Sequence, residues 1–164
     1  MGWLIVIDMQ PQDKLAGAAR DERTILSVER EILRAIALDW GILVVEMHQL
    51  TWGPTDQRLT RHLDLSSGRH FVVEKHSKDG SQELLQFKRT RTHLGISWEN
   101  VRVCGVNIES CVAATVRGLS RSFLHLGEAT IIHVIQDACN TWTCGSDSPW
   151  DFFPRAENIV LENG

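Results

Sequence analysis

The stretch that decides the fold is Val101–Leu119, VRVCGVNIESCVAATVRGL. Its first six residues, Val101–Val106 (VRVCGV), read as a strand. Beyond a polar turn, Asn107-Ile108-Glu109-Ser110, the period changes. Val112, Val116, Leu119, Phe123 and Leu126 recur at steps of 4, 3, 4 and 3, which predicts an amphipathic helix from about Ser110 to Leu126, closed by Gly127. A buried strand running through a short turn into a helix is half of a βαβ unit, and Ala129–Gln136 (ATIIHVIQ) supplies the second strand.

The same alternation extends outward in both directions. Trp3–Asp8 (WLIVID) reads as a first strand, and a helix from about Asp21 to Trp40 follows, with Gly41 at its C-terminal stop. Ile42–Glu46 and His70–Glu74 read as further strands, the latter at an edge. The polar stretch between them, His48–Arg69, reads as a loop with at most a short helical turn. Ser81–Arg91 predicts a short helix, Pro149–Phe153 a helical turn, and Asn158–Leu161 a last strand. Alternating strands and helices imply an α/β fold with a mainly parallel sheet and helices on both faces. The 164 residues carry no composition break, repeat or low-complexity linker, so one domain over 1–164 is expected.

Charge and composition narrow the function. Seventeen Lys and Arg against 21 Asp and Glu give a net charge of −4, which argues against a general nucleic-acid binder and offers no polybasic membrane signal. No apolar run approaches the ~18 residues of a membrane span. The four cysteines, Cys104, Cys111, Cys139 and Cys144, form no C-x-x-C pair. The first basic residue is Lys14, later than a secretory leader would place its charge. A reduced, cytoplasmic chain is expected. Neither the G-x-G-x-x-G nor the G-x-x-x-x-G-K-[ST] phosphate loop is present, nor is a G-x-S-x-G elbow.

In doubly wound sheets, functional groups gather at the carboxyl ends of the strands. Asp8 ends the first strand, Lys75 follows the third, and Cys111 follows the fourth. Singly, each has a plainer reading: a loop-opening Asp, a solvated Lys, a small core Cys in an apolar run. Together on one sheet edge they describe a cysteine nucleophile. A helix N-terminus and a nearby Lys⁺ both favour the thiolate. Asp8 is placed to take the thiol proton and hand it to a leaving amine, and turn N–H groups to hold an oxyanion.

Three blocks make the sequence resemble the isochorismatase-like cysteine hydrolases, the group of nicotinamidases, N-carbamoylsarcosine amidases and isochorismatases. These are LIVIDMQ at Leu4–Gln10, VVEKHS at Val72–Ser77, and Val101–Leu119 followed by VIQDAC at Val134–Cys139. The resemblance implies a three-layer αβα fold with a six-stranded sheet in the order 3-2-1-4-5-6. It implies an Asp8–Lys75–Cys111 triad, a cis peptide between Val106 and Asn107, and an oxyanion hole from the N–H groups of Asn107 and Cys111. The implied activity is hydrolysis of a small amide or related C–N bond through a thioester, without a cofactor. The implied assembly is a homo-oligomer, a dimer or larger; 164 residues leave little room for a lid, so part of the pocket is expected from a partner subunit. Gln10, His48, Trp52 and Trp142 are the candidate pocket residues.

Departures from the family pattern are visible. Gln10 is followed by Pro11-Gln12-Asp13, and Gly80 stands near the place of an aromatic that usually helps shape the pocket. They motivate the alternative, a catalytically idle scaffold or interaction subunit. Glu46-Met47-His48, with His62, imitates the metal ligands of nicotinamidases. Glu46 replaces the usual Asp, and no metal is expected. Cys104 is expected in the core, Cys139 after the fifth strand near the pocket rim, and Cys144 in a loop.

Overall fold

The computed structural model describes residues 1–11, 17–141 and 148–164. Six parallel strands form one sheet in the order β3-β2-β1-β4-β5-β6. They are β1 Trp3–Ile7, β2 Gly41–Met47, β3 His70–Lys75, β4 Asn100–Val106, β5 Ile131–Asn140 and β6 Ile159–Glu162. The helices in chain order are α1 Gly17–Arg20, α2 Glu22–Ala37, α3 Gln49–Trp52, α4 Gln57–Thr60, α5 Ser81–Thr90 and α6 Ala113–His125. This is the three-layer order that the family resemblance implied. Right-handed crossovers put α2 and α4 on one face, where the chain steps from β1 to β2 to β3. They put α5 and α6 on the other, where it steps from β3 to β4 to β5. Covered on both sides, every residue of β1 is buried. Among the described residues no helix is long and apolar enough to cross a membrane.

Local chemistry moves several boundaries. Helix α2 starts after Asp21, whose carboxylate accepts from the Thr24 N–H at 2.8 Å. It ends at Ala37, and the left-handed turn residue is Asp39 (φ 55°), not Gly41. Gly41 instead opens β2 opposite Trp3, where a Cβ would collide with the indole. That space lets Trp3 pack at 5.5 Å edge-on against Phe87 and 5.2 Å from Trp98. The stretch expected as loop after β2 contains α3 and α4, the latter capped by Asp56 accepting from the Arg58 N–H. Strand β5 runs four residues beyond its expected end at Gln136, because it bulges: Val103 pairs with Val134 but Gly105 pairs with Cys139. Cys139 therefore lies inside β5, not after it.

One polar network crosses the α2 face of the sheet. Arg102 on β4 donates to Glu31 of α2 and Glu162 of β6, each at 2.8 Å, and Glu162 is 2.6 Å from His133 Nδ1 of β5. Glu31 is 2% exposed and Arg102 6%. Removing one member strands a buried charge, at a cost of about 3–5 kcal/mol. Arg102→Met is expected to lower the unfolding free energy in urea by about 3 kcal/mol, and Glu31→Met on top of it to recover part of that loss. An unchanged urea midpoint in Arg102→Met would contradict a stabilising role for the network.

Candidate active site

The carboxyl ends of β1 and β4 are neighbours where the strand order reverses, the place where ligands settle in doubly wound sheets. Two backbone features shape that edge. Asp8 turns the chain out of β1 with φ 51°, its N–H bonded to Val45 O at 2.9 Å. Gly105 has φ 121°, and a side chain there would run into the backbone of Ile7, so only glycine lets β4 lie this close to β1. The Val106–Asn107 peptide that follows is cis. The chain then makes one π-helical turn, Ile108–Val112, before α6 begins. Asn107 O accepts from the N–H groups of Ser110 and Val112, the two neighbours of Cys111. Cys111 therefore sits in a widened turn ahead of the α-helix, not in its first regular turn.

Lys75 comes to this edge from β3. Its side chain is completely buried, and Nζ lies 2.9 Å from Asp8 Oδ2. It also donates to Ser77 O and Lys78 O, both at 3.2 Å. Three N–H donors thus meet three oxygens. Gly80 borders the Lys75 stem: a Cβ there would come within 3.0 Å of Lys75 Cδ and 3.3 Å of Val45. Its N–H donates to Thr115 Oγ1 at 3.0 Å. A bulky residue at position 80 would displace the lysine, which gives the glycine a physical reason.

Asp8, Asn107 and Cys111 line one cavity of about 160 Å³, together with Gln10, Trp52 and Lys78. Ala19, Met47, Val106 and Ser110 complete its described wall. The electrostatics differ from the sequence expectation in one respect. Burial pushes the Cys111 thiol up from its ordinary value, and the Asp8 carboxylate adds to that, while Lys75 opposes it without winning. Lys75 is already committed to Asp8, so its charge is largely spent there. Burial likewise raises Asp8, against the pull of Lys75 and a hydrogen bond from Cys111. Both groups are raised, which opposes a preformed thiolate.

The other candidates separate. Gln10 lines the cavity, but its amide is committed elsewhere: Nε2 donates to Met47 O at 2.8 Å and to Gly53 O, and Oε1 accepts the Met47 N–H at 2.8 Å. It positions the wall rather than reaching inward. Trp52 forms part of that wall. His48 does not line the cavity; its ring lies 6.0 Å from that of His76, and Nε2 is 4.0 Å from Glu74 Oε1. Trp142, Cys144 and the Gln12-Asp13 departure fall outside the described residues.

The imitated metal ligands are not brought together. Glu46 accepts the Thr55 N–H at 2.7 Å, and His62 is 2.5 Å from Glu29 of α2. No group of three His, Cys, Asp or Glu among the described residues is arranged to hold a metal ion. Cys104 is in the core, and burial lifts its thiol well above the ordinary range. Cys139 is buried within β5, its thiol pushed up to about 12, and it does not line the cavity. Sequence reasoning missed Thr115 and Lys78, and read Gly80 only as the place of an absent pocket aromatic, whereas the structure packs it against the Lys75 stem.

The sequence matches no protein-family model and no curated protein. Solved structures are similar in fold. N-carbamoylsarcosine amidase from Thermoplasma acidophilum has a TM-score of 0.68 at 18% identity, covering 99% of this chain and 96% of that one. Pyrazinamidase/nicotinamidase from Streptococcus mutans has 0.66 at 15%, covering 87% and 89%. The MAR1 ribonuclease from Caenorhabditis elegans has 0.65 at 22%, covering 87% of this chain, which spans 66% of its length. The chain has the isochorismatase-like fold.

These electrostatics have a measurable consequence. The rate of Cys111 alkylation against pH should give a midpoint above the ordinary thiol value of 9.0, and Asp8→Asn should lower it by removing the adjacent negative charge. A midpoint that stays put or rises in Asp8→Asn would contradict this account.

Proposed function

We propose that the chain is a hydrolase that cleaves a small amide or related C–N bond through a thioester, with Asp8, Lys75 and Cys111 as its catalytic residues. The observation that carries the reading is the wholly buried Lys75 paired at 2.9 Å with Asp8, whose carboxylate opens on the cavity that Cys111 lines. Burying an ammonium is costly unless it is paired and hydrogen-bonded. A fold that encloses one beside a carboxylate and a thiol has arranged a charge where proton transfer can use it. The shared fold with amidases supports the same class of chemistry.

In this mechanism the resting Cys111 is protonated. As Sγ attacks the substrate carbonyl carbon, its proton moves to Asp8, and the carbonyl oxygen becomes an oxyanion held by the N–H groups of Asn107 and Cys111. When the intermediate collapses the C–N bond breaks, and Asp8 gives its proton to the departing nitrogen. Ammonia or an amine leaves, and a thioester remains on Sγ. Water then attacks the thioester with Asp8 taking one proton. Cleavage of the C–S bond releases the acid, and the proton returns to sulfur. Lys75 holds Asp8 in its ionised form between steps, against the burial that favours protonation. No step requires a cofactor. Assembly into a dimer or larger belongs to the same proposal and is read by sedimentation.

The experiment is an ammonia-release screen over small amides, ureido and carbamoyl compounds. Cys111→Ala is expected to abolish turnover, and Asp8→Asn to lower kcat by about a thousandfold. Undiminished turnover in Cys111→Ala would sink the mechanism. Absence of turnover across the panel would favour an idle scaffold.

The pH profile follows from the two raised groups. Asp8 must be ionised to accept the thiol proton. Activity should fall with acidification through a pH above the ordinary carboxyl value of 3.8. The thiol must carry the proton that reaches the leaving nitrogen, so the alkaline fall should come above 9.0. A profile that rises with an ordinary or lowered thiol pKa would instead indicate a preformed thiolate.

A further inference from the structure

The carbonyls that serve Lys75 stand on a turn that needs an anchor. Ser77 and Lys78, which accept from Lys75 Nζ at 3.2 Å, are both exposed. Burial returns at Gly80 and Ser81, where α5 begins. There the chain is seated on α6, the helix that follows Cys111. The Gly80 N–H donates to Thr115 Oγ1 at 3.0 Å, and Thr115 is completely buried. Further along the same helix, Gly118 leaves the space that this turn fills: a Cβ there would collide with Ser81 and Asp79. Asp79 in turn accepts the Ser81 N–H at 2.8 Å. Glycine inside a helix is unfavourable for the helix itself, so Gly118 is explained by what packs on it.

These contacts close a ring. Thr115 lies four residues, about one helical turn, beyond Cys111. Gly80 borders the Lys75 stem, Lys75 pairs with Asp8, and Asp8 lines the cavity with Cys111. We infer that Thr115 is a positioning residue: through the Gly80 N–H it fixes the Lys75 turn to the helix that follows Cys111, and so sets the place of the ammonium relative to the thiol. Thr115 does not itself line the described cavity wall, so it acts through Lys75. Its part in catalysis rests on the hydrolase reading; its hold on Lys75 does not.

The test reads the position of Lys75 through the thiol. Among the described residues, Asp8 from β1 and Lys75 from β3 are the ionisable groups that act on Cys111, the carboxylate raising it and the ammonium lowering it. Withdrawal of Lys75 therefore raises the midpoint of Cys111 alkylation against pH, the opposite of the shift expected for Asp8→Asn. The intact protein is reacted with iodoacetamide, and Cys111 modification is followed by peptide mass spectrometry. Thr115→Val keeps the side-chain shape and leaves the buried Gly80 N–H without its acceptor. It is expected to raise the midpoint by about 0.5 pH unit, and Thr115→Ser, which keeps the hydroxyl, to leave it in place. Val28→Ala, on α2 across the sheet, is expected to lower the urea midpoint without moving the thiol. A Thr115→Val thiol midpoint within about 0.2 pH unit of the original overturns the inference, whatever its urea midpoint. Where Thr115→Val does not fold, Gly118→Ala, which pushes the same turn through Ser81, is read by the same criterion.

A second arm uses turnover of the amide panel. Thr115→Val is expected to lower kcat about tenfold and to keep KM within about twofold, because the hydroxyl acts on the placement of Lys75 and not on the bound molecule. A raised thiol midpoint together with that kcat loss supports the inference and the hydrolase reading together. A raised midpoint without turnover of any amide in the panel leaves the hold on Lys75 standing and removes the hydrolase reading. Turnover with an unmoved midpoint and an unchanged kcat in Thr115→Val does the reverse.

Discussion

The buried ion pair between Lys75 and Asp8 is the constraint around which this edge of the molecule is organised. A fully enclosed ammonium is unfavourable unless every donor finds an acceptor and its charge finds a partner. Here the acceptors come from the end of β1 and from the turn that follows β3. The pairing therefore ties an edge strand to the centre of the sheet through a contact that backbone hydrogen bonding alone would not make. It dictates the size of residue 80, the path of Ser77 and Lys78, and the left-handed exit of the chain at Asp8. It also sets the proton balance. A lysine paired with the carboxylate opposes the rise of the neighbouring thiol without overcoming it.

Much of this was legible in the residues. Runs of apolar residues with helical periods between them specified the strands, and the rule about strand ends selected Asp8, Lys75 and Cys111 from a chain rich in other polar groups. Parallel topology makes that rule effective, because it places all strand ends on one side whatever the loops do. The strand order was legible only through resemblance, since periodicity says nothing about which strand lies beside which.

What the residues hid was of two kinds. The bulge in β5 depends on pairing with a distant strand, so no local pattern records it. The Gln10 clamp on Met47 and Gly53 depends on a loop returning to the sheet, and a glutamine in a motif cannot announce whether its amide faces ligand or backbone. The thiol followed the same logic. Helix termini and lysines lower a thiol pKa, but burial and an adjacent carboxylate raise it, and only packing decides the sum. His48 lay at the correct strand end, yet it neighbours Glu74 and His76 and does not line the cavity.

The raised Cys111 thiol also bears on oxidation. Peroxide attacks thiolates, and cysteines poised as anions are the ones that climb toward sulfenic and sulfinic acids. A thiol held up by burial and by an adjacent carboxylate offers peroxide little of the reactive form near neutral pH. The Asp8 carboxylate thus adds to the burial that keeps Cys111 out of its oxidisable form.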